Sequence, residues 1–155
     1  MTEIRLLDGL AGEVREALEG FRLRSAKENQ VPINVYVQNL PVKEGRDDEK
    51  LYPYVCVCFD EEEIKEDSGS RISLYTYCTI GIIDRERDRQ GFRDVLLIAS
   101  RIYQHIFRKG IIAGAFSPAL PFRVKLQEDD THPYYYGGIE NRWEMLAMEK
   151  EDDLI

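Results

Sequence analysis

Arg71-Ile72-Ser73-Leu74-Tyr75-Thr76-Tyr77-Cys78-Thr79-Ile80-Gly81-Ile82-Ile83 is the longest run of strand character in the chain. Ile72, Leu74, Cys78, Ile80 and Ile82 share one parity, and Ser73, Tyr75, Tyr77 and Thr79 share the other. Successive side chains of a strand point to opposite faces, so this strand has one apolar face and one aromatic, hydroxylated face. It belongs to a sheet with a core on one side and a different environment on the other.

On the N-terminal side, Tyr54-Val55-Cys56-Val57-Cys58-Phe59 is apolar on both parities, which marks an internal strand covered or contacted on both faces. Before it, Ile33-Asn34-Val35-Tyr36-Val37 follows Pro32 and is stopped by Pro41, a short strand followed by a loop from Val42 to Lys50. Leu7, Leu10, Val14, Leu18 and Phe21 recur at three- and four-residue spacing, predicting an amphipathic helix from about Asp8, as N-cap, to about Ala26. On the C-terminal side, Phe92, Val95, Leu96, Ala99, Ile102, Tyr103 and Ile106 form the stripe of a second helix. It runs from Asp88 or Gln90 to Lys109, with Gly110 at its C′ position. Two more strands follow, about Phe122 to Gln127 and about Gly138 to Met148.

The element order is thus α-β-β-β-α-β-β. Three consecutive strands suggest an antiparallel meander, and two amphipathic helices supply one apolar layer. The expected fold is α+β, a two-layer sandwich whose mixed, mainly antiparallel sheet of about five strands carries both helices on one face. The uncovered face would present Tyr75 and Tyr77, together with Tyr36, and an aromatic patch of that kind marks a protein interface.

A chain of 155 residues suits one domain, 1–155, with an acidic tail at about 149–155. Apolar residues at 43% against 32% charged describe a folded chain and not a disordered one. No run approaches the roughly 20 apolar residues of a membrane span, and Met1-Thr2-Glu3-Ile4-Arg5 lacks a signal-peptide core, so a cytoplasmic product without membrane partners is expected. A net charge of −8 disfavours a surface that grips phosphates. Acidic clusters at Asp47 to Glu49, Asp60 to Glu63, Glu128 to Asp130 and Glu149 to Asp153 read as solvated loops and tails.

Candidate chemistry is sparse. Cys56, Cys58 and Cys78 could in principle converge on a metal, but no fourth ligand is evident and apolar neighbours suit buried reduced thiols. His105 and His132 have no nucleophile pattern between them. The Asp60 to Glu63 run lacks the spacing of a calcium loop. No metal, cofactor or catalytic residue is assigned. Arg85, Arg87, Arg89 and Arg93, interleaved with Asp84, Glu86, Asp88 and Asp94, form a mixed-charge turn that reads either as weak salt bridges or as a polar subunit contact.

Over most of its length the chain resembles the tail terminator, or tail completion, family of long-tailed bacteriophages. The resemblance rests on the first amphipathic helix, Leu51-Tyr52-Pro53-Tyr54-Val55-Cys56-Val57, and the strand ending Thr79-Ile80-Gly81-Ile82-Ile83-Asp84 that leads into Gly91-Phe92-Arg93-Asp94-Val95. It continues through the helix core Ile98 to Phe107 and Pro133-Tyr134-Tyr135-Tyr136-Gly137-Gly138 before a strand bearing Trp143. The resemblance implies a non-enzymatic structural protein, a homo-oligomer forming a six-membered ring on the head-proximal end of the tail tube. Its partners would be the tail tube protein and a head-completion or neck protein, with genomic DNA passing the lumen unbound. It would act in the host cytoplasm during assembly and reside in the virion tail.

A cyclic oligomer needs two different complementary patches per subunit. One is placed at Tyr75 and Tyr77. The other is placed in the loops Lys43 to Lys50 and Glu61 to Ser70, with Arg46, Asp47, Asp48, Glu62 and Glu63, alongside Arg85 and Arg87. Two alternatives stand beside this reading: a head-side neck or head-completion protein, and a small-ligand-binding α+β domain with a site near Tyr103, His105 and Trp143.

Overall fold

The computed structural model of the chain describes residues 2–23, 32–42, 48–65 and 71–145. Helix α1 (Thr2–Leu18) comes first, then strand β1 (Asn34–Val37), a 3-10 turn (Asp48–Leu51), β2 (Tyr54–Lys65), β3 (Arg71–Ile83), helix α2 (Phe92–Lys109), β4 (Phe116–Leu126) and β5 (Tyr134–Met145). The five strands form one mixed sheet in the order β1-β2-β3-β5-β4, an α+β fold. β1 runs parallel to β2, and the other pairings are antiparallel. The expected meander therefore fails at its first step: β1 and β2 are neighbours, but the segment between them returns the chain to the same end of the sheet.

Both helices feed one core. Leu6, Leu10 and Val14 of α1 and Val95, Ile98, Ile102 and Ile106 of α2 cluster with Val55 and Val57 of β2, Leu74, Ile80 and Ile82 of β3, and Ile139 and Trp143 of β5. Because those strand residues alternate with outward ones, they lie on a single sheet face. Burial of a Leu or Ile side chain contributes about 1.5–3 kcal/mol, so this face supplies most of the driving force. Within it, the Trp143 indole N–H donates to Thr76 Oγ1 (2.8 Å), and the Thr76 hydroxyl donates to Asn141 Oδ1 (3.2 Å), which satisfies the indole N–H, the hydroxyl and the amide oxygen deep in the sheet.

Several boundaries differ from the sequence expectation. Helix α1 begins at Thr2 because Leu6 and Leu7 extend the buried stripe backwards, which leaves Asp8 exposed inside the helix and not at its cap. It ends at Leu18, where Gly20 takes φ +68° and turns the chain away. The expected continuation to Ala26 lies partly outside the described residues. β2 runs on to Lys65, so the acidic run Asp60 to Glu63 is strand and not loop. β4 starts at Phe116, across Pro118 and Pro121, which an edge strand tolerates because its outer N–H groups need no ladder partner. β5 is described to Met145, and the acidic tail at 149–155 lies outside the described residues. Gly110 caps α2 as expected, its N–H donating to Ile106 O.

Candidate interaction surface

The sheet face opposite the helices carries Tyr36 of β1, Tyr54, Cys56 and Cys58 of β2, and Tyr75, Tyr77 and Thr79 of β3, the residues that alternate with the core set. β5 adds Tyr134, Tyr136, Glu140 and Arg142 on the same parity. No helix covers this face among the described residues, and it divides into two zones.

The first zone is a tyrosine cluster shielded by the chain itself. Tyr54, Cys56 and Cys58 are buried under Tyr36, Leu40, Leu51, Tyr52, Tyr77 and Tyr136. Tyr52 stacks at tilted angles on Tyr54 (5.0 Å between centroids), Tyr134 (5.4 Å) and Tyr136 (6.2 Å), and the hydroxyls of Tyr52 and Tyr136 share a 2.5 Å hydrogen bond. Burial, then the Tyr136 hydroxyl, push the Tyr52 phenol far above its ordinary value, and burial raises Tyr54 to about 12. Gly81 makes this layer possible, since a Cβ there would lie 2.4 Å from the Tyr54 ring. The Tyr77 phenol is also held high, chiefly by its Cys58 neighbour.

Gln38 fastens β1 to this zone. With φ +68° it ends the strand, its side-chain Oε1 accepts the Phe59 N–H (2.9 Å), and its own N–H donates to Val57 O (2.7 Å).

The second zone is open and charged. Tyr75 faces Arg142 across the β3–β5 pair, Tyr77 faces Glu140, and Glu140 faces Arg123 of β4. Tyr75 and Tyr77 are each half-buried, so the expected aromatic patch splits: Tyr77 packs into the tyrosine cluster, and Tyr75 borders the charged zone. The idea of one bare aromatic face is corrected to this extent, because the chain's own Tyr52, Leu51 and Leu40 cover part of it.

Those of the other expected contact residues that are described do not gather on one patch. Arg46 and Asp47 lie outside the described residues, and Asp48 is described only as the start of the 3-10 turn. Glu62 is no loop residue: it pairs in β2 with Leu74, on the core face, beside the Glu3 carboxyl of α1. Burial and the Glu3 carboxyl raise Glu62 to about 7, while Glu3 is lowered, chiefly by its hydrogen bond to Glu62. Glu63 binds Lys65 at 3.0 Å in the same strand. Arg85 pairs with Glu49, which ties the β3–α2 turn to the 3-10 turn, and Arg87 is exposed in that turn.

The cysteines do not converge. Cys56 and Cys58 share the outer face, with sulfurs 3.7 Å apart, and Cys78 belongs to the core on the opposite face. Among the described residues, one group could hold a metal: Glu13, Glu16 and His105 on neighbouring helices. There, His105 Nε2 lies 2.6 Å from Glu13 Oε2 and the Lys109 ammonium 3.5 Å from Oε1, so Glu13 already has a hydrogen-bond partner and a cationic one. Tyr103, His105 and Trp143 form no common pocket: Trp143 is fully buried and bonded to Thr76, His105 turns to Glu13, and Tyr103 packs on Phe107 and Phe122.

Sequence reading missed Tyr52, Tyr54 and Tyr136 as a second aromatic group, and Arg123 and Arg142 as the charged neighbours of Tyr75. A parity count across β2, β3 and β5 would have found the tyrosines, but the arginine placement depends on the β4–β5 register. Compared with protein-family models and with curated proteins, the chain matches neither a family nor a curated sequence.

Proposed function

We propose that this chain is a tail-terminator subunit of a long-tailed phage, a structural protein that assembles as a ring, caps the head-proximal end of the tail tube, halts its polymerisation and offers the head-docking surface. The observation that supports this reading is the outer sheet face, where Tyr75, Arg123 and Arg142 lie on a layer that no helix covers among the described residues. Two-layer folds of this kind bury one sheet face and leave the other open to solvent or to a partner. The role uses no cofactor and no catalysis. The ligand-binding alternative gains nothing from the geometry, because Tyr103, His105 and Trp143 point to separate places.

The test is electron microscopy of tails assembled from the neighbouring tail genes with and without this chain. Tails of defined length with it, and overlong or headless tails without it, are expected. Tails of normal length that fail only at head attachment would favour the neck or head-completion reading. Normal, head-joined tails in its absence would refute both.

A further inference from the structure

The sheet ends in two edge strands, β1 and β4, and they are not alike. In β1 the N–H groups of Asn34 and Gln38 donate inward to Pro53 O and Val57 O, so Val35 and Val37 between them face outward. Their carbonyls are occupied: Val35 O accepts from Arg15 Nη2 (3.5 Å) and Val37 O from the Asn39 N–H (2.8 Å). In β4 the Gln127 N–H donates to Tyr136 O (3.0 Å), so by alternation Arg123 and Lys125 also bond to β5. Phe122, Val124 and Leu126 therefore turn their N–H and C=O groups outward, and among the described residues nothing bonds to those groups.

The first half of β4 is blunted by Pro118 and by the irregularity at Leu120 and Pro121. The open half is Phe122 to Leu126, and its two faces differ. On the helix side, Phe122 packs on Tyr103 (5.0 Å between centroids) and Phe107 (5.6 Å), and Leu96 lies two turns before Tyr103 on the same side of α2. Leu96, Tyr103, Val124 and Leu126 are each between 38% and 44% exposed, an apolar strip beside an open ladder. An edge of that kind is a template for another strand. On the outer face the same half presents Arg123 and Lys125: Lys125 holds Glu140 at 3.2 Å, and Arg123 makes no ion pair among the described residues. The strand that fits this edge alternates apolar residues on one side with acidic residues on the other.

The chain contains such a stretch in Leu146-Ala147-Met148-Glu149-Lys150-Glu151, which lies outside the described residues. Leu146 and Met148 share one parity, Glu149 and Glu151 the other, and Lys150 alone breaks the pattern. Its own copy cannot place it on the open half. Leu146 follows Met145, which pairs with Phe116, and β5 runs antiparallel to β4, away from Phe122. Phe122 is about 20 Å back along the strand at that point, as far as six extended residues reach without turning round.

We propose that the Phe122 to Leu126 edge of one copy receives residues 146–151 of a second copy as an added strand, with Leu146 and Met148 on the side of Val124, Leu126 and Tyr103 and with Glu149 and Glu151 on the side of Arg123 and Lys125. The donated segment and the accepting edge are different patches, as a head-to-tail ring contact requires. This inference rests on the assembling reading above and adds to it the patch that joins one subunit to the next.

The experiment measures amide hydrogen exchange by NMR on the labelled full-length chain, together with sedimentation, as protein concentration rises. Expected are Val124 and Leu126 amides that exchange freely in dilute protein and gain protection in step with self-association, while Arg123 and Lys125 stay protected throughout. Val124→Pro removes only an outward N–H, and Glu149→Lys with Glu151→Lys reverses the donated charge; each should weaken association about tenfold or more, and adding Arg123→Glu to the second should recover part of the loss. Unchanged melting would certify that the variants fold. Association that proceeds undiminished in both, or that leaves the Val124 and Leu126 amides exchanging freely, would overturn the added strand while leaving the ring intact. Protection of those amides at the dilution where the chain is monomeric would show the edge covered by its own chain and overturn the second copy as occupant. A wild-type chain that neither self-associates nor binds tail tubes would refute the assembling reading, and this contact with it.

Discussion

Replacing Gly81 with Ala tests the packing of the tyrosine layer. A Cβ at this position would stand 2.4 and 2.6 Å from two Tyr54 ring atoms and 2.9 Å from a Tyr52 ring atom. Ordinary carbon contact is about 3.5–4.0 Å, so the Tyr54 ring must move by about 1 Å. Tyr54 is buried, and Tyr52, with which it stacks, is bonded to Tyr136. Overpacking of this kind costs about 1–3 kcal/mol. The lost glycine entropy returns roughly 0.5–1 kcal/mol. A net loss of about 1–2 kcal/mol remains, which for a chain of this size lowers the melting temperature by about 2–8 °C.

Scanning calorimetry with tyrosine near-ultraviolet circular dichroism is the assay. The matched control is Gly12→Ala in α1, where an added Cβ meets nothing within 4 Å and the melting temperature should rise. A Gly81→Ala protein that melts with or above the wild type would refute the account of this layer.

Three further outcomes follow from the same structure. Trp143→Phe removes the bond to Thr76 Oγ1 from a fully buried site and should lower urea stability by about 2 kcal/mol; a change under about 0.5 kcal/mol would contradict the Thr76–Asn141–Trp143 network. Glu62, raised to about 7 from an ordinary 4.5, binds its proton more tightly folded than unfolded, so its contribution to stability is complete below about pH 4.5 and lost as pH climbs towards 7. Glu62→Gln should therefore flatten the decline in melting temperature between those values, and an unaltered slope would show that the Glu3–Glu62 pair is not formed. Burial pushes Cys56 and Cys78 up to about 12, so neither should react with iodoacetamide at pH 8 until the protein unfolds; prompt labelling of the folded chain would contradict their burial.

The fold was legible where one local pattern met one environment. The parity of β3 placed the core and the outer face correctly because both sides of that strand are long and consistent. Tyr54 to Phe59 read as an internal strand because β1 and β3 flank it and clusters lie on both of its faces. Legibility failed where tertiary context overrides local preference. The carboxylates at 60–63 are solvated loop residues by composition, yet pairing with β3 holds them in a strand. Pro118 and Pro121 argue against a strand unless it is known to lie at the edge.

The candidate site was only half visible. Tyr75 and Tyr77 follow from parity, but their neighbours Arg123 and Arg142 come from β4 and β5, and that placement exists only once the registers are set. Of the acidic loop residues proposed as the second patch, Glu62 turned inward to α1 because the parity of β2 shifts by one at Asp60.

The most direct measurement is sedimentation velocity with negative-stain imaging of the purified chain, alone and mixed with tail tubes of the same phage. Rings of six-fold symmetry, free or seated on one end of each tube, are the predicted result. A monomer at every concentration that leaves the tube ends bare would contradict it.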